Sequence, residues 1–520
     1  MISAKPDSQM FGGIMKKYPV VITEPAAVAA LTEIYQNNGP GNLEWDFSIP
    51  GQITARDGRL ATRDRALTGL NLNRAGLTGI LKLRGVETLT VLTAEENSLT
   101  GIDLKDLPGL MALALRNNQI SDFGPLDGLE NLKILSCYGN QLPPAEEVKW
   151  LRRAAVQGDL EALFNLGLAY FWGNGVEEDK AEAFKWFGLG AEKEIALALC
   201  NLGVACYLGE GVETDKKEAV KWFRLAAEEG YDTAQFYLGL AYDFGDGVEE
   251  DKAEAVKWYR LAAEQGYSKA QINLGAAYFL GEGVEEDVVE AAKWLRLAAE
   301  QGNSDAQFKL GVVYDVGKGV EEYQAEAAQW LRLAAEQGHA KAQFYLGDAY
   351  YLGEGVETDK VEAVKWYRLA AEQGHAKAQF VLGNAYHFGT GVEEDCAEAV
   401  KWYRLAAEQG DTDAQCNLGN AYHFGNGVKK DQAEAVKWYR RAAEQGHVKA
   451  LFHFGNAYLF GNGVEKDQAE ALKWFRLAAE QGDARAQFTL GDAYLFGYGV
   501  EKDQDEALKW FRLAGEKRAR

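Results

Sequence analysis

The sequence predicts a mainly α protein: a solenoid of helix pairs, preceded by a short α/β solenoid of strand-bearing repeats. Three observations carry that prediction. Eleven tryptophans (Trp150, Trp186, Trp222, Trp258, Trp294, Trp330, Trp366, Trp402, Trp438, Trp474 and Trp510) stand 36 residues apart with no insertion or deletion. Glycines keep the same beat: Gly167 recurs every 36 residues to Gly491, and the pair Gly173 and Gly175 recurs to Gly497 and Gly499. Upstream, short leucine segments recur at intervals of 22, 21 and 22 residues. Fixed periods of this length mark arrays in which each unit buries its apolar face only against its neighbours.

Each 36-residue unit reads as two helices. In DKAEAVKWYRLAAEQG, from Asp251 to Gly266, Ala255, Trp258, Leu261 and Ala262 follow helical spacing for one apolar face. Asp251 is an N-cap, and Glu254 three residues on predicts a capping box. That Asp recurs in nine of ten units, Tyr323 replacing it once. Gly266 ends the helix, because glycine accepts the left-handed C-terminal conformation. The second helix runs from Ala270 to Gly281, with Ala270, Leu274, Ala277 and Tyr278 as its buried stripe. Gly275 lies within it, where glycine costs about 1 kcal/mol against alanine. A cost repeated in every unit predicts a helix contact too close for a side chain. Gly281-Glu282-Gly283-Val284 is a turn back to the next Asp.

The unit from Ala378 to Gly410, AQFVLGNAYHFGTGVEEDCAEAVKWYRLAAEQG, resembles the Sel-one-like repeat (SLR) family, a relative of the tetratricopeptide repeat. The resemblance covers residues 145–520, as ten units and a terminal half-unit. It implies a right-handed α-α superhelix of antiparallel helix pairs and an adaptor or scaffold role. In the related tetratricopeptide fold the helix bearing L-G-x-x-Y lines the concave face.

The leucine segments are Leu70-Asn71-Leu72, Leu92-Thr93-Ala94, Leu113-Ala114-Leu115 and Leu135-Ser136-Cys137, with Asn97, Asn118 and Asn140 following at fixed offset and Ala75 in the first such place. LMALALRNNQI, from Leu110 to Ile120, resembles the leucine-rich repeat, whose asparagines bond backbone groups inside the bend. About four such repeats are expected over residues 67–143. Residues 1–66 form an N-terminal segment with a helix over 24–37, and LTEIYQNNGPGNLEW resembles the cap of many bacterial and plant leucine-rich repeats. The first helix after Pro143-Pro144 is expected to seal the other end. Strand-face positions Asn71, Thr93, Ala114 and Ser136, then Asn73, Glu95, Arg116 and Tyr138, form a small mixed surface fit for binding or for capping.

The formal net charge is −23, which argues against nucleic acid and anionic membrane surfaces as partners. Much of the acid lies in the recurring GVEED turn, a solvated edge. The five cysteines show no paired pattern, which favours a reducing compartment. No signal peptide is legible in residues 1–18, broken by Asp7, Gly12, Gly13 and Lys16-Lys17, and no apolar run spans a membrane. The expected location is the cytoplasm; export by a non-classical route is not legible in a sequence. A monomer is favoured.

Variable positions of the glycine-bearing helix should face the groove. The residue after the recurring glycine reads Leu168, Val204, Leu240, Ala276, Val312, then Asp348, Asn384, Asn420, Asn456 and Asp492. Three positions on come Phe279, Tyr351, His387 and His423; two before the glycine come Tyr345, Val381, Asn417 and His453. The candidate partner-binding set is therefore Leu240, Phe279, Tyr345, Asp348, Tyr351, Asn384, His387, Asn420, His423, Asn456 and Asp492. Asparagine amides can bond both backbone groups of an extended peptide, and aromatic residues supply anchor energy. The competing reading is that these asparagines only solvate a helix face in recently copied units.

No catalytic residue, metal site or cofactor is expected, so the predicted function is a non-catalytic protein–protein interaction scaffold that takes a peptide or protein in its groove. His387 and His423 lack a third metal ligand of fixed spacing. The turns lack calcium-loop and phosphate-loop patterns, and no G-x-S-x-G or S-x-x-K is present. Two alternatives are a secreted effector engaging host proteins and a β-lactam or cell-wall hydrolase. Cysteine-rich relatives of the repeat are linked to β-lactam hydrolysis, but the paired cysteines that mark them are missing here. Gly188 and Gly190, in FKWFGLGAEKEIALA, predict a softer or kinked joint in the second unit.

Overall fold

A leucine repeated every 21 or 22 residues can form a continuous core only if successive strands stack in register. The computed structural model has that ladder. It describes residues 20–22, 29, 31–32, 34, 45–46, 53–55, 60–63, 66–137, 139–193, 195–316 and 321–516. The chain divides into two compact units, Met1–Gln265 and Gly266–Arg520.

Among the described residues the first unit begins with ten strands. β1 (Val20–Ile22), β2 (Trp45–Asp46) and β3 (Ile53–Ala55) form an antiparallel sheet with β3 central. β4 (Leu60–Arg63) pairs antiparallel with β5 (Ala66–Asn71). From there β5, β7 (Val91–Thr93), β9 (Ala112–Ala114) and β10 (Ile134–Ser136) run parallel. Leu70 sits opposite Leu92, Leu92 opposite Leu113, and Leu113 opposite Leu135, so the sequence spacing is the ladder register. The return segments form a second parallel pair, β6 (Thr78–Arg84) with β8 (Ser98–Lys105), and then a 3-10 turn over Gly124–Gly128.

The asparagines work inside the bend. Asn118 Nδ2 donates to the carbonyls of Ala94 and Leu115, and its Oδ1 accepts from Leu99 N–H. Asn97 and Asn140 repeat the arrangement one repeat before and after. The expected helix over 24–37 and the cap to Trp45 fall mostly outside the described residues; Ala29, Leu31, Thr32 and Ile34 are helical, and Leu31 and Ile34 join the leucine core.

The strand face is not the mixed binding surface that the sequence offered. Thr93, Ala114 and Ser136 are buried, and Glu95 is 7% exposed. Glu95 is held by Asn73 Nδ2 at 2.9 Å and Arg116 Nε at 2.5 Å, and Arg116 continues to Glu161 of the helical array at 3.0 Å. A buried carboxylate needs such partners, because charge without them is costly to desolvate. Tyr138 lies outside the described residues. The helix Pro144–Val156 closes the ladder: Trp150 is fully buried edge-on to Phe123, and Arg153 and Gln157 donate to the Leu129 and Leu132 carbonyls.

Among the described residues 21 helices follow the strands, tryptophan helices alternating with glycine helices. Their buried face differs from the one read in sequence. In Lys252–Glu264 the buried residues are Ala255, Val256, Tyr259, Ala262 and Ala263. Trp258 is half-buried and Leu261 is 43% exposed. At the two ends Trp150 and Trp510 are themselves buried, whereas from Trp186 to Trp474 the residue after the tryptophan is the deeper one: Phe187, Phe223, Tyr259, Leu295, Leu331, Tyr367, Tyr403, Tyr439 and Phe475 are all buried. They also explain the mid-helix glycine. A Cβ on Gly383 would lie 2.6 Å from Tyr403 Cδ1, and every other unit repeats that approach. The second turn glycine has a separate reason: a Cβ on Gly391 would overlap the Lys360 carbonyl that begins the previous tryptophan helix.

The caps are half of a capping box. Asp251 accepts from Glu254 N–H at 2.9 Å. Its own N–H donates to the Tyr242 carbonyl, and the Glu254 carboxylate holds Lys257 at 2.7 Å instead of reaching back. Where Tyr323 replaces the Asp, the helix Glu321–Glu336 runs to 16 residues instead of 13 and Tyr323 stacks on Tyr314.

Two further ladders tie successive repeats together. The arginine two residues after the tryptophan bonds a phenol 18 residues on, as in Arg224 to Tyr242 and Arg296 to Tyr314. In the second repeat Gly188 and Cys206 occupy both places, and the helix Lys180–Ala191 stops at 12 residues. Gly190 has a packing reason, since a Cβ there would meet Ala198 Cβ at 2.9 Å. Buried glutamines make the other ladder: Gln343 donates to the Ala335 carbonyl and accepts from Gln373 at 2.7 Å, and Gln301, Gln337, Gln409 and Gln445 repeat the second link in their own repeats.

Candidate peptide-binding groove

The candidate positions lie on the glycine helices, whose opposite stripe is fixed by alanine, leucine and glycine in the core. That leaves the residue after the glycine half-buried. In three successive repeats it is occupied from within. Asp348 accepts from Tyr367 Oη at 2.7 Å, Asn384 from Tyr403 Oη at 2.7 Å, and Asn420 from Tyr439 Oη at 2.8 Å. Asn417 Nδ2 adds a bond to Asn384 Oδ1 at 3.3 Å. In these three repeats the polar residue answers the core ring: a buried tyrosine hydroxyl needs an acceptor, which Tyr259, beside Leu240, takes from Asp243 instead at 3.0 Å. Burial raises the pKa of Tyr367, Tyr403 and Tyr439 above the ordinary phenol value, so these hydroxyls keep their protons and stay donors.

The amide and carboxylate groups also border open space. A cavity of 370 Å³ is lined by Asp348, Tyr351, Leu352, Val381, Asn384 and Phe388, among others. The next repeat has one of 350 Å³ bordered by His387, Phe388, Asn417, Asn420, Phe424 and His453. Asp348 and Tyr345 share a third, of 130 Å³, with Asp315 and Glu354. Phe279 lines a cavity of 1010 Å³ with Val316, Tyr314 and Tyr323. The structure thus brings together Tyr345, Asp348, Tyr351, Asn384, His387 and Asn420. His423, Asn456 and Asp492 are half-buried on the same helices but line none of these four cavities, and Leu240 belongs to the other compact unit. His423 lies against Phe424 and Tyr439.

Two groups were not in the sequence-derived set. One is a row of apolar side chains just before the C-cap glycine, exposed in every repeat from Trp172 to Phe496; Leu352 is 60% exposed, Phe388 69% and Phe424 64%. The signal was present as a position that is always large and apolar yet falls off the buried stripe. The other is His453, stacked on Tyr439 at 5.2 Å. Burial first, and then the positive charge of Arg485, lowers its pKa to about 4, so it is a neutral ring.

Cys396 stands with Sγ 3.9 Å from His387 Nδ1, but burial and Glu394 raise its thiol pKa. Burial pushes Cys137, Cys200 and Cys416 up to about 12. Among the described residues no group of three or more His, Cys, Asp or Glu could hold a metal ion, and no helix is long and apolar enough to cross a membrane.

The family model described as Sel1 repeat matches residues 160–194, 196–231, 232–267, 268–303, 304–339, 340–375, 376–411, 412–447, 448–483 and 484–518. Among solved structures, a protective antigen present in uropathogenic Escherichia coli strains and displaying an SLR fold is 39% identical. That match covers 72% of this chain and 89% of the antigen, with a TM-score of 0.44. A Sel1 repeat protein from Oxalobacter formigenes is 33% identical over 59% of this chain and 89% of its own, with a TM-score of 0.49. An immunity protein from Pseudomonas aeruginosa is 23% identical over 41% of this chain and 81% of its own, with a TM-score of 0.27. No curated protein matches.

Proposed function

The chain belongs to the Sel1 repeat family, and from that premise we propose that it is a non-catalytic scaffold holding a peptide or protein on the glycine helices of its second unit. Sel1 repeat proteins generally mediate protein–protein interaction, and the family is typically non-catalytic. The observation that favours this face is the row of cavities from Tyr345 to His453, walled by exposed Leu352, Phe388 and Phe424. Exposed apolar patches of this kind mark interaction sites more often than idle surface. The net charge of −23 sets the partner class away from nucleic acid.

We read the strand ladder of the first unit as a leucine-rich-repeat segment whose task is to cap the helical array. Its buried face and its Glu95–Arg116–Glu161 link to the first repeat support that role.

The test is affinity capture with mass spectrometry, comparing the full chain with a variant carrying Asn384→Ala, Tyr403→Phe, Asn420→Ala and Tyr439→Phe. Removing each acceptor together with its phenol leaves no buried hydroxyl orphaned. Partners captured by the native chain should disappear from the variant at unchanged helicity by circular dichroism. An unchanged set of partners would sink the groove model.

A further inference from the structure

Three of the second unit's cavities are contiguous. The 130 Å³ cavity shares Asp348 and Leu352 with the 370 Å³ cavity, which shares Phe388 with the 350 Å³ cavity. Their polar chemistry changes in order. The first end holds Asp315, Asp348 and Glu354. The Asp348 carboxyl lies above its ordinary pKa, chiefly through burial, with Glu354 and Asp315 adding to the rise and the Tyr367 hydroxyl opposing it. A cation supplied from outside would relieve that crowding. The middle is apolar, with Leu352, Val381 and Phe388 beside Asn384; Lys360 stands over Tyr351 at its edge. The far end holds donors, with Asn417, Asn420, Asn426, His387 and His453 around Phe424. The turn that follows Phe424 carries Lys429-Lys430, where no other repeat turn has two lysines.

Resting on the groove reading, we infer that this track takes an extended peptide segment of the partner with a lysine or arginine at one end, a carboxylate at the other, and apolar side chains between. The cation seats among Asp315, Asp348 and Glu354, the apolar residues pack on Leu352, Phe388 and Phe424, and the carboxylate meets the Asn420 and His387 end beside the Lys429-Lys430 turn. Helices pack about 8–10 Å apart, so two repeats separate the ends by roughly 20 Å. At about 3.3 Å per residue of extended chain, the two charges stand roughly six residues apart. Charge order of this kind supplies register and rejects wrong partners more than it supplies raw affinity.

Fluorescence anisotropy on the full chain tests this with labelled ten-residue peptides. One carries Lys and Asp six residues apart around Leu and Phe. Others change Lys to norleucine, change Asp to Asn, shorten the spacing to three, or replace both charged residues by Glu. The first should bind at least about tenfold tighter than each of the others. Asp348→Asn with Glu354→Gln should erase the preference for Lys over norleucine while keeping that for Asp over Asn; Asn at 348 still accepts from Tyr367, as Asn384 does for Tyr403. Lys429→Glu with Lys430→Glu should do the reverse. Equal affinity for all peptides, binding of none, preferences that survive both variants, or self-association in sedimentation as the only interaction would overturn the proposal. Charge-blind binding that the Asn384→Ala, Tyr403→Phe variant abolishes leaves the groove reading standing, whereas peptide binding that this variant retains overturns both.

Discussion

Two stretches of the second unit share a backbone and differ in what fills it. From Asp348 to Tyr439, three repeats pair a core tyrosine with an acceptor on the neighbouring glycine helix. On either side the same places hold apolar pairs or none: Ala276 and Val312 beside Leu295 and Leu331, and Asn456 beside Phe475. The cavities of the proposed track lie in the tyrosine stretch. The comparison teaches that a polar residue on a helix face can be set by the ring behind it and still offer its other edge outward. Groove chemistry and core chemistry are then one choice.

The largest expected effect comes from filling the contact both stretches share. Gly383→Ala removes a helix penalty of about 1 kcal/mol, yet it forces a Cβ to 2.6 Å from a Tyr403 ring that Asn384 holds by its hydroxyl. Overpacking should dominate, with a net loss of about 2–3 kcal/mol. Gly275→Ala meets Leu295, which can rotate away, and should lose less. Unfolding midpoints in urea decide it, and equal losses would show that the ring's tether is irrelevant. Repeat arrays need not unfold in one step, so exchange protection of the local amides should accompany the midpoints.

Next in size is the pair itself. Asn384→Ala leaves the buried Tyr403 hydroxyl without its acceptor and should cost about 1–2 kcal/mol, most of it recovered by adding Tyr403→Phe. Asn456→Ala, beside Phe475, should cost less than half as much. If the Asn384 and Asn456 losses match, the phenol does not explain the asparagine.

The smallest effect lies at the border. His453 is stacked on Tyr439 and held neutral, its pKa lowered to about 4 from an ordinary 6.5. As pH falls below 6.5 the unfolded chain takes up a proton that the folded chain refuses until about pH 4. Stability is therefore fully present above pH 6.5 and is lost on acidification across that window. Native protein should lose about 1 kcal/mol more between pH 7 and pH 5.5 than His453→Asn, which carries the Asn417 solution at that place. Parallel pH profiles for the two would remove His453 from the account.

Much of the fold was legible because periodicity is a property of sequence. Trp150 to Trp510 fixed the repeat length, and Leu70, Leu92, Leu113 and Leu135 fixed the strand register. Rotation about each helix axis was less legible. Trp258 and Leu261 are compatible with helical spacing, but the core chose Tyr259 and Ala262, one position on in each case, along with Val256 and Ala263. The reason is the glycine opposite, which admits a flat ring or a leucine at the place after the tryptophan. Glu254 was misread because an N–H that already has the Tyr242 carbonyl needs no carboxylate. In the groove, residue types were readable and their partners were not, since Asn384 meets a side chain 19 residues away. The face of the strand ladder was misjudged for the same reason: nothing in Glu95 itself announces Asn73 or Arg116.

The glutamine ladder bears on how such a chain changes length over generations. Each glutamine presents an acceptor that the next copy's glutamine satisfies, so any copy from Gln307 to Gln415 offers the same head and the same tail. Unequal crossing-over that drops or doubles one of them rejoins like with like. Leu451 breaks the series, because its side chain has no oxygen to accept with. A junction placed there would set a leucine where the incoming copy's glutamine needs an acceptor, whereas a junction between the interior copies would not.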